Sequence, residues 1–526
     1  MKINPWSGML WMSSSIFLLI GGMWFMWRVI NSPAPDIVGY EQNVIIAIQQ
    51  MLDGKALYSN PEEVPFNIVQ YTPLYTIMVK ILAEALKIQS SDLPQLQELA
   101  RSVSSFFALL TASLPGYLVY RSSKHWLIAF SAGVLALLLP MPWAFNARPD
   151  AMLYCFTLLS IVLFVHYSSE QNQRGLGFLF MAGFSLSLAL LSKQTALVHI
   201  AMMLVFPFYH QQIRDRAVLI LGVVLGLFVP SLLFSSYYSL IPAPDNYFYA
   251  HIIGGVQNGW SFYAAIASVY HPYLLHYTVF LILSLYAIFG ILRELKKALA
   301  KPDSSYKGLR GIWNFFHNYE RFYLVLAYFF LTFTVYGLVS GLKYRSSINY
   351  MSESNMIALA FIIHSFVRQD IRANLEKGLV SVMGAIFFLG ISGLMFYKTE
   401  LEYGYRLNIT EAEVYEQGLI SALEAELRDY PDAYFISLLD ERVLNMLFHE
   451  QAIFSQLEIY SISPFDFSRL QSLIESGELR YLVLESSRQL PPYLWAESST
   501  ASFESSIDLG DYHIYVNRNN QDRDGQ

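Results

Sequence analysis

Long runs of apolar residues, unbroken by charge, constrain this chain more than anything else in it. Leu127–Leu139, Met152–Val165 and Phe178–Leu191 are continuous and have apolar or small flanks, giving the ~17–25 residues that a bilayer-spanning helix needs. Of the 526 residues, 54% are hydrophobic and 14% charged, and the mean hydropathy is +0.37. The pattern predicts a polytopic α-helical membrane protein with eleven spans, at about 9–29, 101–120, 125–142, 150–167, 175–192, 195–210, 217–238, 272–292, 319–340, 351–367 and 378–397. A net charge of −7 argues against nucleic acid, which calls for a basic stripe. The single cysteine, Cys155, lies inside an apolar run and permits no internal disulfide.

The loops between these runs alternate in character. One set carries Arg121 and Lys124; Arg174; Arg214 and Arg216; Arg293, Lys296, Lys297, Lys301, Lys307 and Arg310; and Arg368, Arg372 and Lys377. The positive-inside rule makes these loops cytoplasmic. With Lys2 on the same side, the first span reads as an uncleaved anchor, and an odd number of spans puts the region 398–526 outside. Two external loops are long. In the first, about 30–100, Val44–Leu52 and Tyr75–Leu86 read as helices lying along the membrane interface. The second, about 239–271, is rich in Tyr and Phe and fits headgroup depth.

Residues 1–397 thus read as a transmembrane domain and 398–526 as a small extracytoplasmic α/β domain with a disordered polar tail, Asn517–Gln526. Tyr415, Leu419, Leu423 and Leu427 mark a helix with one apolar face. Strand-like runs at Ala433–Leu439, Arg480–Glu485 and Tyr512–Val516 alternate with helical patterns near Glu441–Phe448 and Phe465–Ser476. This alternation predicts a mostly parallel sheet. The C-terminal region shows neither a Gly-rich phosphate loop nor a metal-ligand spacing.

Four charged spots fall at the ends of apolar runs, all on the side opposite the basic loops. A charge at that depth costs about 2.5–3.5 kcal/mol or more, so it usually faces a cavity and serves a purpose. Asp36, just beyond the first span, can accept a proton from an attacking hydroxyl or can cap the helix that follows; Glu41 is a weaker candidate of the same kind. Arg148 and Asp150 flank Pro149 at the start of a span. Asp150 suits a helix N-terminus, whereas Arg148 either pairs with it or holds a phosphate. Lys193 sits at the tip of a tight hairpin, where it can snorkel or offer a point charge to a phosphate leaving group. Lys343 and Arg345 form a cradle for a mono- or diphosphate, and Asn349, Tyr350 and Glu353 continue into the next span. These sites come from separate parts of the chain yet share one membrane face, as a composite pocket for an anionic, lipid-linked substrate requires.

In these residues the chain resembles the polytopic glycosyltransferases of the GT-C class, in the family 39-like branch of lipid A aminoarabinose transferases and protein O-mannosyltransferases. The resemblance is carried by Asp36, Tyr71-Thr-Pro-Leu-Tyr75, Arg101, Arg148-Pro-Asp150, Ser192-Lys-Gln-Thr195 and the Lys343…Asn349-Tyr350 junction, and covers roughly residues 1–370. It implies a sugar donor on a polyprenyl phosphate, inverting transfer on the non-cytoplasmic side, Asp36 as base for the acceptor, Arg148, Lys193 and Lys343 or Arg345 at the donor phosphate, and Asp150 beside the acceptor path. The acceptor would be a glycan, lipid or protein, no cofactor is implied, and a bacterial inner membrane is the implied location. Some relatives carry an acidic or His residue before the first-loop proline, where this chain reads Tyr71-Thr72-Pro73. Neither long external loop contains a DxD pair, which favours transfer without a metal. A ligase of whole lipid-linked glycans would need similar cations. A transporter would place its ions near the midplane, often with repeated halves, and no repeat is found here. A non-enzymatic scaffold would have the outer α/β domain as its working part.

Overall fold

The computed structural model describes residues 5–35, 40–141, 143–169, 173–254, 260–300, 320–343, 348–368, 410, 414, 416–437, 443–453, 466, 468–485 and 503–520. Helices occupy most positions where spans are expected: α1 (Pro5–Ile30), α4 (Leu93–Ser123), α5 (Trp126–Leu138), α6 (Asp150–Ser169), α7 (Gln173–Ser192), α8 (Ala196–Leu204), α9 (Gln212–Leu233), α10 (His271–Leu299), α11 (Arg321–Gly341) and α12 (Ser352–Arg368). Among the described residues, six segments are long and apolar enough to cross a bilayer: Gly8–Ile30, Leu93–Ser123, Asp150–Ser169, Gly175–Ser192, Gln212–Leu233 and Arg321–Gly341. The chain is an integral membrane protein. The span expected at 378–397 lies outside the described residues.

The span expected at 195–210 needs correction. Helix α8 stops after 9 residues, less than half the ~30 Å of a hydrocarbon core at 1.5 Å per residue. Pro207 cannot continue the helix. Arg216 then donates from Nε to the Leu204 carbonyl (2.8 Å) and from Nη2 to that of Phe206 (3.4 Å). Irregular backbone persists here because protein satisfies the freed groups.

Glycines set how closely the helices pack. A Cβ on Gly222 would come within 2.1 Å of the Phe180 carbonyl oxygen, and one on Gly183 within 2.2 Å of that of Leu219. Helices α7 and α9 therefore touch backbone to backbone, the usual device where lipid supplies no hydrophobic drive between helices. Helix α4 packs on α5 and α6, α6 on α7, and α12 on α4 and α11, so the starts of α6 and α12 meet the ends of α7 and α11.

In the first external loop, α2 (Tyr40–Leu52) and α3 (Leu74–Leu86) form as expected, but α2 does not lie on an interface with its polar face wet. Glu41, Gln42, Asn43, Gln49 and Gln50 are all buried. Asn43 donates to the Ile68 carbonyl at 2.7 Å, and Gln49 to those of Ser90 (2.8 Å) and Met446 (3.0 Å). The polar side of α2 meets protein instead of water. Helix α3 keeps Ile81, Leu82 and Leu86 exposed, while Lys80 reaches Tyr237 (2.6 Å) and Glu84 (2.7 Å).

The C-terminal unit combines β1 (Tyr434–Ser437), β2 (Leu479–Glu485), β3 (Phe503–Asp508) and β4 (Tyr512–Asn517) in the order β1-β2-β4-β3. Among the described strands only β1–β2 is parallel; β2–β4 and β3–β4 are antiparallel, which corrects the expectation of a mostly parallel sheet. The strand missed in sequence, β3, is polar at Glu504, Ser505 and Ser506, and it turns into β4 through Gly510 at φ +79. So short a connection can only make an antiparallel hairpin. Helix α13 (Gln417–Asp429) covers one face with Leu419, Leu423 and Leu427; α15 (Ser468–Ser476) covers the other with Leu470, Leu473 and Ile474. The short α14 (Leu444–Leu447) packs on α2. Phe66 and Ile68 of the first loop complete the core under α15, so this unit borrows core residues from near the start of the chain. Asn517, expected to open a disordered tail, instead donates to the carbonyls of Ile474 (2.7 Å) and Leu479 (3.1 Å). Residues 521–526 lie outside the described residues.

His251 ties the two external loops together. Its Nδ1 accepts from the Val69 N–H (2.9 Å), and its Nε2 donates to the Ser59 carbonyl (2.6 Å). Burial pushes this imidazole from 6.5 down to about 4. The unfolded chain then binds the extra proton first, so stability falls as pH drops from about 6.5 toward about 4, by up to about 3 kcal/mol. Melting between pH 7 and pH 4 should show this loss, and His251→Gln, which cannot titrate, should flatten it while lowering the pH 7 value.

Candidate active site

The site is assembled from helix ends. Asp150 is the first residue of α6, Arg148 lies two residues before it, Lys193 directly follows α7, and Asn349 precedes α12. Lys193 Nζ sits 2.7 Å from Asp150 Oδ1, and Arg148 Nε 3.2 Å from Asp150 Oδ2. Asn349 Nδ2 approaches Oδ1 at 3.4 Å. All four side chains are buried. The Lys193 ammonium also stands over the rings of Tyr71 (5.4 Å) and Tyr350 (5.9 Å), and the Arg148 guanidinium over Trp143 (5.1 Å). Arg148 Nη2 reaches the Tyr71 hydroxyl at 3.4 Å.

The backbone around these groups is pinned as well. Ser104 of α4 donates to the Arg148 carbonyl (3.0 Å) and itself meets the Tyr75 hydroxyl (2.8 Å). Gln194 donates to the Gln70 carbonyl at 2.8 Å, joining the hairpin tip to the Tyr71 segment. Behind the cluster, Glu353 lies 3.9 Å from His199 Nε2, and Thr157 meets His199 Nδ1 at 3.1 Å. Tyr154 donates to the Asn349 carbonyl at 3.2 Å.

Charge is unevenly balanced. Burial opposes the charged form of Lys193, but the Asp150 carboxylate together with Tyr71 and Tyr350 outweighs it and holds the ammonium above its ordinary range. Lys343 is half-buried in a bridge with Trp260, and burial, followed by repulsion from Lys193, keeps it below the usual lysine range. Two mutually repelling cations beside one carboxylate favour an added anion. From this corner an apolar groove of about 700 Å³ runs between α8 and α11, lined by Thr195, Met202, Tyr328, Val335, Tyr336, Lys343 and Tyr350 among others.

Of the residues singled out in sequence, Tyr71, Arg148, Asp150, Lys193, Asn349 and Tyr350 come together, with Lys343 close by and Glu353 in the layer behind. Asp36 and Arg345 lie outside the described residues. Glu41 stands apart. Both its oxygens are taken by Arg101, Nε–Oε1 at 2.8 Å and Nη2–Oε2 at 2.9 Å, and Oε1 also accepts the Ala147 N–H at 2.8 Å. It cannot also serve an acceptor pocket. Arg101 donates further to the carbonyls of Val29 (3.2 Å), Ser32 and Ala34 (2.8 Å). Sequence reading gave no role to His199, Trp143 or Ser104; Arg101 could have been paired with Glu41 on sign alone, as two opposite charges at apolar borders.

A family model for dolichyl-phosphate-mannose-protein mannosyltransferases matches residues 87–240, the stretch that holds Arg101, Arg148, Asp150 and Lys193. No curated protein matches the sequence. In fold, the chain is similar to ArnT from Cupriavidus metallidurans solved with undecaprenyl phosphate, at 12% identity and a TM-score of 0.51, over 95% of this chain and 97% of that one. It is also similar to the archaeal oligosaccharyltransferase AglB from Archaeoglobus fulgidus, solved with an inhibitory peptide and a dolichol-phosphate, at 11% identity and a TM-score of 0.56, over 96% of this chain and 74% of that one. The chain has a GT-C fold.

Arg101→Met should cost about 3–5 kcal/mol by leaving Glu41 buried and unpaired. The double variant with Glu41→Gln should recover part of that loss. A double-mutant cycle on melting in detergent reads the coupling directly.

Proposed function

We propose that this protein transfers a sugar from a polyprenyl-phosphate donor to an acceptor on the extracytoplasmic side of the membrane, with inversion at the sugar carbon. The observation that carries the reading is that Arg148 and Lys193 close on Asp150, that the Lys193 ammonium faces Tyr350, and that Tyr350 and Lys343 line the apolar groove between α8 and α11. A polyprenyl tail lies in such a groove while its phosphate reaches the cations. The basic residues Arg121, Arg214, Arg216, Lys296 and Lys297 lie near helix ends away from the site, which favours the extracytoplasmic face for the chemistry.

In this scheme the acceptor hydroxyl attacks the face of the sugar opposite the phosphate. The bond from sugar to phosphate oxygen breaks, and Lys193 and Arg148 stabilise the charge gathering on the departing polyprenyl phosphate. Asp36 takes the acceptor proton. Asp150 aligns the two cations between turnovers and works through them. The inner membrane of a bacterium, with the C-terminal unit periplasmic, fits the resemblance to ArnT. A glycan, lipid or protein acceptor fits equally.

Purified protein in nanodiscs, given polyprenyl-phosphate sugars with a labelled sugar and a membrane acceptor extract, should release polyprenyl phosphate and pass label to the extract. Asp36→Asn should lower turnover by about 10² or more with unchanged melting, and Lys193→Ala should lower turnover per folded chain by about 10²–10³, with a lower melting temperature because buried Asp150 loses a partner; unaltered turnover in Asp36→Asn would remove it as the base. Val335→Trp, narrowing the groove, should raise KM at least about tenfold for a long-chain donor and leave a short-chain analogue little affected, since each displaced CH₂ is worth about 0.8 kcal/mol.

A further inference from the structure

Away from the site, the end of α2 meets the C-terminal unit through a second cluster of polar groups. Asp53 directly follows α2, and His449 and Glu450 follow α14. The His449 Nε2 to Asp53 Oδ2 distance is 2.7 Å across a sequence separation of 396. One ligand atom from each of Asp53, His449 and Glu450 lies within 4.8 Å of the other two. His449 is 8% exposed, and its Nδ1 is buried without a hydrogen-bond partner among the described residues. Asp53 and Glu450 open to solvent, so an ion can reach the cluster.

We infer that Asp53, His449 and Glu450 form a site for a divalent transition-metal ion of the zinc class, which staples the C-terminal unit to the first external loop. One imidazole and two carboxylates are ligands that zinc accepts, and water completes a tetrahedral shell. At ~2.0–2.2 Å from each ligand, the ion holds ligand atoms a little over 3 Å apart. The 2.7 Å Asp53–His449 contact therefore widens slightly, while Glu450 closes in. The ion enters where the shared proton of that contact lies, and the proton leaves to solvent.

The framework for this staple is already present. Gln49, one turn earlier on α2, donates to the Met446 carbonyl at 3.0 Å, so the two surfaces are docked before any metal binds. Neither segment shows a metal spacing in sequence, because the ligands come together only in the folded chain. Helix α2 begins at Tyr40, four residues after Asp36, and ends beside Asp53. An ion at its far end stiffens the element that leads from the proposed base.

Full-length protein, freed of its affinity tag and stripped with chelator, is reconstituted in nanodiscs and titrated with Zn²⁺ against a chromophoric competitor. Bound metal is counted by mass spectrometry. The wild type should hold one zinc per chain and melt at a higher temperature with it. Asp53→Asn and Glu450→Gln should each weaken binding at least about tenfold, and His449→Ala should abolish both binding and the thermal shift. If His449→Ala fails to fold, the two carboxylate variants decide. No stoichiometric zinc in the wild type, or equal zinc in wild type and variants, overturns the assignment.

Discussion

One buried guanidinium pins the start of the first external loop to the helix bundle. Arg101 is fully buried and spends all five of its N–H donors, two on Glu41 and three on the carbonyls of Val29, Ser32 and Ala34. Those carbonyls fix the backbone up to two residues before Asp36. Glu41 passes the constraint on to the Ala147 N–H, one residue before Arg148. The segment that leads to the proposed base and the one that carries a phosphate-facing cation thus share one anchor. A buried ion pair contributes little net stability by itself, since desolvation offsets most of the attraction. Its value here lies in geometry, because no other side chain offers five donors at once, here to the carbonyls of residues 29–34 and to Glu41.

The same economy governs the site. Arg148 and Lys193 at the edge of an apolar bundle would be costly alone. Asp150, set at the positive end of α6, offsets the charge of one of them and leaves a net positive corner, to which Lys343 adds. Lys343 has lost part of its affinity for a proton through burial and through Lys193. An incoming phosphate relieves that repulsion, so binding of the anion and relaxation of the site are the same event. The groove beside it is apolar along most of its length, which joins headgroup chemistry to tail burial without a separate element.

Much of this was legible in the chain. Apolar runs gave the bundle, and the charges at their ends gave Arg148, Asp150 and Lys193, because a charge beside lipid must have a partner or a task. What was hidden depends on tertiary contact. The polar side of α2 looked like a wet face, and only the docking of Ile68 and Met446 against Asn43 and Gln49 shows it to be an internal joint. Glu41 looked like a spare acid until Arg101, 60 residues away, claimed it. The short α8 read as a span because composition does not register that Pro207 and Arg216 end the helix early. Strand β3 was missed because Glu504, Ser505 and Ser506 interrupt its apolar pattern, leaving the sheet to look parallel.

The proposed chemistry depends on where an anionic lipid docks. A cryo-electron microscopy structure of the protein in nanodiscs with a long-chain polyprenyl phosphate tests it most directly. Phosphate density is expected within hydrogen-bond reach of Arg148, Lys193 or Lys343, with the tail following the groove between α8 and α11. Phosphate density elsewhere, with Asp150 still closed on Lys193 and the groove empty, would contradict it.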